Sequence, residues 1–282
     1  FFTLPMLLGN IFQQLYNMAD SLIVGRIVGP NGLAAVGASF AISFLAIGLS
    51  QGASQGCSII ISQCFGAKDY KRMKSGFTTA LIATISVGFL LSLTSGLFLR
   101  PLLELLQTPE DIFEQSLSYV QIVFSGSIFL FAYNSLTAIF NALGDSKTPL
   151  KFLIASTILN IILDILFVNN FHMGVNGAAI ATLIAQVLSA VGLFLYFIVK
   201  IKKMDICQGK APIFDWDILK NMTKIAIPSM IQQSMVSIGM LAVQGLVNSF
   251  GSDMVAGYTA ASKIDSIAVM PILNIGIALS SY

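Results

Sequence analysis

The sequence predicts an all-α polytopic membrane protein: a complete six-helix N-terminal lobe, followed by the first two helices of a second lobe that repeats it in parallel. Three observations predict it. The 282 residues are 56% hydrophobic and only 10% charged, where ordinary soluble domains carry about 25% charged residues. Mean hydropathy is +0.84, and apolar runs reaching the ~18 residues that a bilayer-spanning helix needs recur along the chain. The breaks between them carry turn chemistry: GPNG at Gly29–Gly32, FGAKD at Phe65–Asp69 and GDSKTP at Gly144–Pro149.

Reading apolar runs between these breaks places spans at 1–26, 33–64, 76–99, 112–141, 149–169, 175–199, 222–250 and 254–282. In the first span Pro5 and Gly9 mark a bend, either a fixed kink or a hinge. Asn10, Gln13, Asn17 and Asp20 follow at steps of three, four and three, so they share one helical face. The second span holds Cys57 and Cys64, which with Cys207 show no metal or redox spacing and read as packing residues or reduced thiols. The fourth contributes Tyr119. The fifth stacks Ser156, Asn160 and Asp164 at steps of four, and the sixth carries Thr182, Gln186 and Ser189 on one face. Met230, Met235, Met240 and Phe250 of the seventh read as core packing before cavity lining. Lys263 and Asp265 in the eighth are two apart and do not share a face. His172 is a lone loop histidine.

Charge gives direction. Twelve of the fifteen basic residues (among them Lys68, Lys71, Arg72, Lys147, Lys200 and Lys220) lie in the breaks after spans two, four and six or in the first turn that follows. Lysine-rich loops face the cytoplasm, which puts the amino terminus inside. Residues 200–221 form a charged linker between a lobe at 1–199 and the start of a second at 222–282. The second echoes the first: Leu4-Pro5 matches Ile227-Pro228, and LAAVGAS at Leu33–Ser39 matches VAGYTAA at Val255–Ala261. Six helices separate the copies, so both enter from the same side as a parallel repeat. The chain starts at Phe1 and stops within an apolar run, and it reads as a trimmed piece without a secretory leader. The net charge of +2 reflects topology and implies no nucleic-acid partner.

The polar residues carry the function. An ionisable group at the bilayer centre costs roughly 2.5–3.5 kcal/mol on insertion scales and is retained for a use. At ~1.5 Å rise per residue, Asp20 lies roughly 9 Å below the lysine-poor end of its span and Asp164 about 8 Å. Thr182 and Tyr119 fall about 10 Å down. Two carboxylates, the Asn160 amide, a hydroxyl and a phenol thus converge at one level from four helices. Hard oxygen donors of this kind suit a proton or a small hard cation. Ser156 has packing as its simpler role, and Asn10 and Gln13 serve either as interhelical hydrogen-bonding glue or as a polar cavity face.

LPMLLGNIFQQLYNMADSLIVGRIVGPNGLAAVGAS, Leu4–Ser39, resembles the opening of bacterial multidrug and toxic compound extrusion (MATE) transporters. ALGDSKTPL, Ala142–Leu150, is similar to that family's loop between helices four and five, and NIILD, Asn160–Asp164, to its helix-five site. The resemblance implies twelve helices in two lobes around a central cavity, here cut after helix eight. It implies an antiporter in the bacterial plasma membrane that exports bulky, often cationic, organic compounds against H⁺ or Na⁺, as a monomer and without a cofactor. The ion site it implies comprises Asp20, Tyr119, Asn160, Asp164 and Thr182, with the Ala178 carbonyl as an added Na⁺ ligand; Asn10, Gln13, Asn17 and Gln186 would face the cavity. One branch of the family carries a glutamate in helix seven, whereas no acid occurs here between Asp217 and Asp253, and Val243 stands opposite Asp20 in the repeat. That favours the first lobe. A lipid-linked oligosaccharide flippase of the same superfamily would need a more basic cavity, and the first lobe has no intramembrane Lys or Arg. An intramembrane aspartyl protease would need Tyr-Asp and Gly-x-Gly-Asp, where this chain has Asn-Met-Ala-Asp and Ala-Leu-Gly-Asp. A channel fits the repeat and the midspan proline less well than alternating access does.

Overall fold

A computed structural model describes residues 3–203, 212–262 and 264–265. Helices follow in the order α1 (Thr3–Ile27), α2 (Pro30–Gly66), α3 (Tyr70–Leu105), α4 (Glu110–Ser125), α5 (Ser127–Ala142), α6 (Lys147–Asp164), α7 (Gly174–Lys203) and α8 (Trp216–Asn248). A further helical stretch covers residues 252–262. Among the described residues five helices are long and apolar enough to cross a membrane, six when α4 and α5 count as one bent span. Polar α1 is not among the five: its Asn, Gln and Asp side chains lower its hydropathy.

Local chemistry sets the ends. Gly29, at φ 100°, turns the chain, and Pro30 then opens α2 at a position whose N–H has no helical partner. The Asp69 carboxylate accepts from the Arg72 amide at 3.0 Å to cap α3. Asp215 does the same for α8, accepting from Asp217 and Ile218 at 2.9 and 3.1 Å. That cap starts α8 at Trp216, six residues before the expected boundary at 222. Asp145 accepts from both the backbone and the hydroxyl of Thr148 at the start of α6 and pairs with Lys200 at the end of α7. Its carboxyl is pushed up by burial, but the Lys200 and Thr148 hydrogen bonds outweigh this and hold it below the usual carboxylate range.

Three other expectations need correction. The span expected at 112–141 is two helices that meet at Gly126 with a 50° bend. A Cβ there would sit 2.4 Å from Leu183 Cδ1, so the glycine lets α7 reach the bend. The fifth span changes from α to π geometry at Ile165–Asn170, directly after Asp164, a distortion that often marks functional positions. The third span runs through Tyr70–Leu105, longer than 76–99, with Pro101 inside its last turns. At Pro5 and Gly9, α1 continues as one helix. Asp265 is exposed; Cys207 and Lys263 lie outside the described residues, as do the side chains of Pro5 and Asn10.

α2 is the central element. It is rich in Ala, Gly and Ser, and these small residues let neighbouring backbones approach. Cys57, Ile61, Phe77, Leu136, Phe140, Phe197, Ile218 and Met222 form a core at the lysine-rich end. At the other end Val24, Ala34, Ile112, Tyr119, Val175 and Val255 pack together. A third cluster around Ile42, Leu99, Leu103, Val120 and Leu241 lies beside α2. The long exposed faces of α3 and α7, with Phe89, Leu93, Leu97, Leu188 and Leu195, are apolar, as helices facing lipid must be.

Candidate functional site

Between these clusters the polar faces of α1, α6 and α7 turn inward. Asp20 and Asn160 are 5% and 0% exposed, Asp164 0% and Tyr119 7%. The Tyr119 hydroxyl donates to Asp20 Oδ2 at 3.3 Å. The Asn160 amide donates to Thr182 Oγ1 at 3.5 Å, a long and therefore weak bond. The Asp20 and Asp164 carboxylates lie close enough for their charges to interact. Both Asp164 oxygens and Asn160 Oδ1 are buried and make no hydrogen bond to the described residues. A buried carboxylate without partners costs far more than a neutral acid or a cation-bound one. Oxygens so placed can be neutralised by a proton or by a hard cation.

The oxygen set fits Na⁺ in kind: carboxylate, amide carbonyl and hydroxyl oxygens contributed by Asp20, Asp164, Asn160 and Thr182. Ala178 is buried with Tyr119 and Val24 in the same cluster. Asp20, Tyr119 and Thr182 also form part of the wall of a cavity enclosing about 1250 Å³, its mouth included. Gln13, Asn17 and Gln186 line it as well. Asp164 and Asn160 do not; they sit behind the wall, one layer deeper. The site thus has two layers, a deeper one with Asp164 and Asn160 and a cavity wall, with Asp20 and Thr182 reaching both. Ser156 lines the cavity while donating to the Ala185 carbonyl at 3.3 Å.

Sequence reasoning missed Tyr16. Its hydroxyl is hydrogen-bonded to Thr182 and feels the charges of both aspartates. The signal was present, because Tyr16 lies one turn before Asp20 on the polar stripe, but an aromatic residue there reads as apolar. Phe40, Ser43, Tyr133 and Asn134 also line the cavity. The last two follow the bend at Gly126, so straight-helix phasing could not assign them. His172, at φ 53°, is exposed in the turn after the π-helical segment and plays no part in the site.

Fold and site together define a polytopic α-helical membrane protein with an acidic, oxygen-lined pocket opening into a cavity. The MatE family model matches residues 5–166, and the chain belongs to that family. It is 35% identical over 284 residues to the probable multidrug resistance protein YpnP of Bacillus subtilis, covering 99% of this chain and 62% of that protein. An inward-facing multidrug resistance MATE family transporter superposes with a TM-score of 0.87 at 27% identity, covering 95% of this chain and 61% of the other. The MATE multidrug transporter DinF-BH, solved as a ligand complex, superposes at 0.88 and 25% identity, covering 97% and 61%. The chain therefore spans about three fifths of the length of these relatives.

Proposed function

We propose that this chain is the N-terminal lobe and the start of the second lobe, 1–199 and 222–282 joined by the linker 200–221, of a secondary antiporter. It exports bulky, often cationic, organic compounds in exchange for H⁺ or Na⁺. The lysine-rich end faces the cytoplasm of a bacterial plasma membrane. The observation that carries this reading is the burial of Asp20 and Asp164 together beside one cavity, with the oxygens of Asp164 unpartnered among the described residues.

The mechanism follows from the two layers. With the carboxylates ionised, the cavity attracts an organic cation through Asp20 in its wall. Ion arrival at Asp164 and Asp20 removes that attraction and relieves the repulsion between them, favouring cargo release and a different packing of α1 on α6 and α7. A ligand shifts such an equilibrium only by its differential affinity for the two states. Asp20 is suited to that coupling because it belongs to both layers. Tyr119 orients Asp20 through its hydrogen bond, Tyr16 holds Thr182 through another, and both supply aromatic faces toward the cavity. Pairing a Na⁺ or proton gradient with export then requires only that both ligands compete for this charge.

The test is reconstitution of the full-length protein in vesicles, with Na⁺ and pH gradients imposed separately, following efflux of a fluorescent organic cation. Export driven by at least one gradient is expected, and its loss in Asp20→Asn and Asp164→Asn. Undiminished gradient-driven export in both variants would defeat the proposal.

A further inference from the structure

At the lysine-poor end a buried amide pair ties α8 to the turn between α3 and α4. Asn248, the last residue of α8, donates from Nδ2 to the Leu106 carbonyl at 2.9 Å and lies 3.4 Å from Thr108 Oγ1. Gln244, one turn earlier, donates to Asn248 Oδ1 at 2.7 Å. Asn248 is 2% exposed, Gln244 5% and Thr108 8%. Leu106 caps the C-terminal end of α3, and Gln107 follows at φ 51°. The Leu106 carbonyl is thus one of the orphan acceptors of a helix end, where a donor is favoured. Below it Leu241 packs with Leu99, Leu103 and Leu106.

We infer that Gln244, Asn248, Leu106 and Thr108 form a clasp that holds this end of the two lobes closed and must part in each transport cycle. The inference rests on the antiporter reading, because it joins a helix of the second lobe to a turn of the first. The chemistry of the seam separates it from the contact at the other end. There α8 meets α2 backbone to backbone: a Cβ on Gly56 would lie 2.6 Å from the Met222 carbonyl. That contact is a close backbone approach, flanked by hydrogen bonds from Ser75 Oγ to the Pro212 carbonyl and from the Asp215 amide to Thr79 Oγ1 rather than by a buried side-chain amide pair. The amide clasp exchanges its protein partners for water on parting, so it reseals and releases at low cost. A parted amide that water has not yet reached is unsatisfied, which disfavours a half-open state.

Two experiments on the full-length protein, with Cys57, Cys64 and Cys207 replaced by alanine, test this. In the first, Thr108→Cys and Asn248→Cys are bridged by a short bis-methanethiosulfonate reagent. The bridged protein is expected to lose the fluorescent-cation export measured before bridging and to regain it on reduction, while the reagent leaves each single-cysteine variant at that variant's own untreated rate. Equal export before and after bridging would overturn the clasp alone; absence of gradient-driven export from the unmutated protein would instead overturn the antiporter reading. The second needs no transport. Asn248→Leu, combined with Ser43→Cys in the cavity wall, is expected to raise the labelling rate by an impermeant thiol reagent added outside right-side-out vesicles several-fold over Ser43→Cys alone. An unchanged rate in protein of unchanged thermal stability would overturn the clasp.

Discussion

Gly52 offers a perturbation whose sign can be worked from distances. It sits midway along α2 where α8 crosses, and a Cβ there would lie 2.6 Å from both Cα and N of Met230. Met230 backbone cannot rotate aside as a side-chain tip does. Gly52→Ala therefore forces the helices apart by roughly 0.8 Å, the gap between 2.6 Å and the 3.4 Å at which ordinary contact begins. Overpacking of this kind costs about 1–3 kcal/mol. Gly96→Ala in α3 supplies the opposite sign: nothing lies within 4 Å of its added Cβ, and relief of glycine's backbone entropy gains about 0.5–1 kcal/mol. Thermal unfolding of the two variants in detergent should bracket wild type, Gly52→Ala lower by a few degrees and Gly96→Ala at or above it. Equal midpoints, or a more stable Gly52→Ala, would refute the claim that α2 and α8 are in backbone contact.

Other consequences follow from the same structure. Asp145→Asn breaks charge-assisted hydrogen bonds worth about 1.5–3 kcal/mol at neutral pH. Because the folded carboxyl is held below its ordinary range, this stability is present above about pH 4 and fades as pH falls through the lowered value, so the variant and wild type should converge in acid melts. Tyr119→Phe removes the donor to Asp20 while keeping the ring, and should shift the ion concentration for half-maximal export by about 2- to 12-fold, the equivalent of one hydrogen bond. Removing the Tyr16 hydroxyl by Tyr16→Phe should act on the same quantity through Thr182, and the double variant should depart from additivity because the two share a network.

Much of the molecule was readable because apolar length and helical phase are strong signals in a membrane chain. The polar stripe of α1 and the four-residue steps of α6 placed Asp20, Asn160 and Asp164 on inward faces. A constant rise per residue then brought Tyr119 and Thr182 to the same depth. What was hidden depends on tertiary contact. The span bends at Gly126, where a Cβ would lie 2.4 Å from Leu183 Cδ1 of α7, and nothing in the local sequence carries that contact. The six extra residues of α8 are likewise settled by the Asp215 cap, not by hydropathy, and hydropathy carries no mark of the π turn after Asp164. Phasing along an ideal helix failed beyond each such break, which is why Tyr133 and Asn134 went unseen. The layering of the site, with Asp164 behind the cavity wall and Asp20 in it, is a fact of three dimensions only.

The measurement closest to the heart of the account is equilibrium binding of a fluorescent organic cation to the purified full-length protein, titrated against Na⁺ at fixed pH and against pH without Na⁺. Competition for a shared charge predicts that at least one of these ions weakens binding in proportion to its occupancy, and that Asp164→Asn abolishes this dependence. Cation binding indifferent to both ions, or an ion dependence untouched by loss of the Asp164 charge, would contradict it.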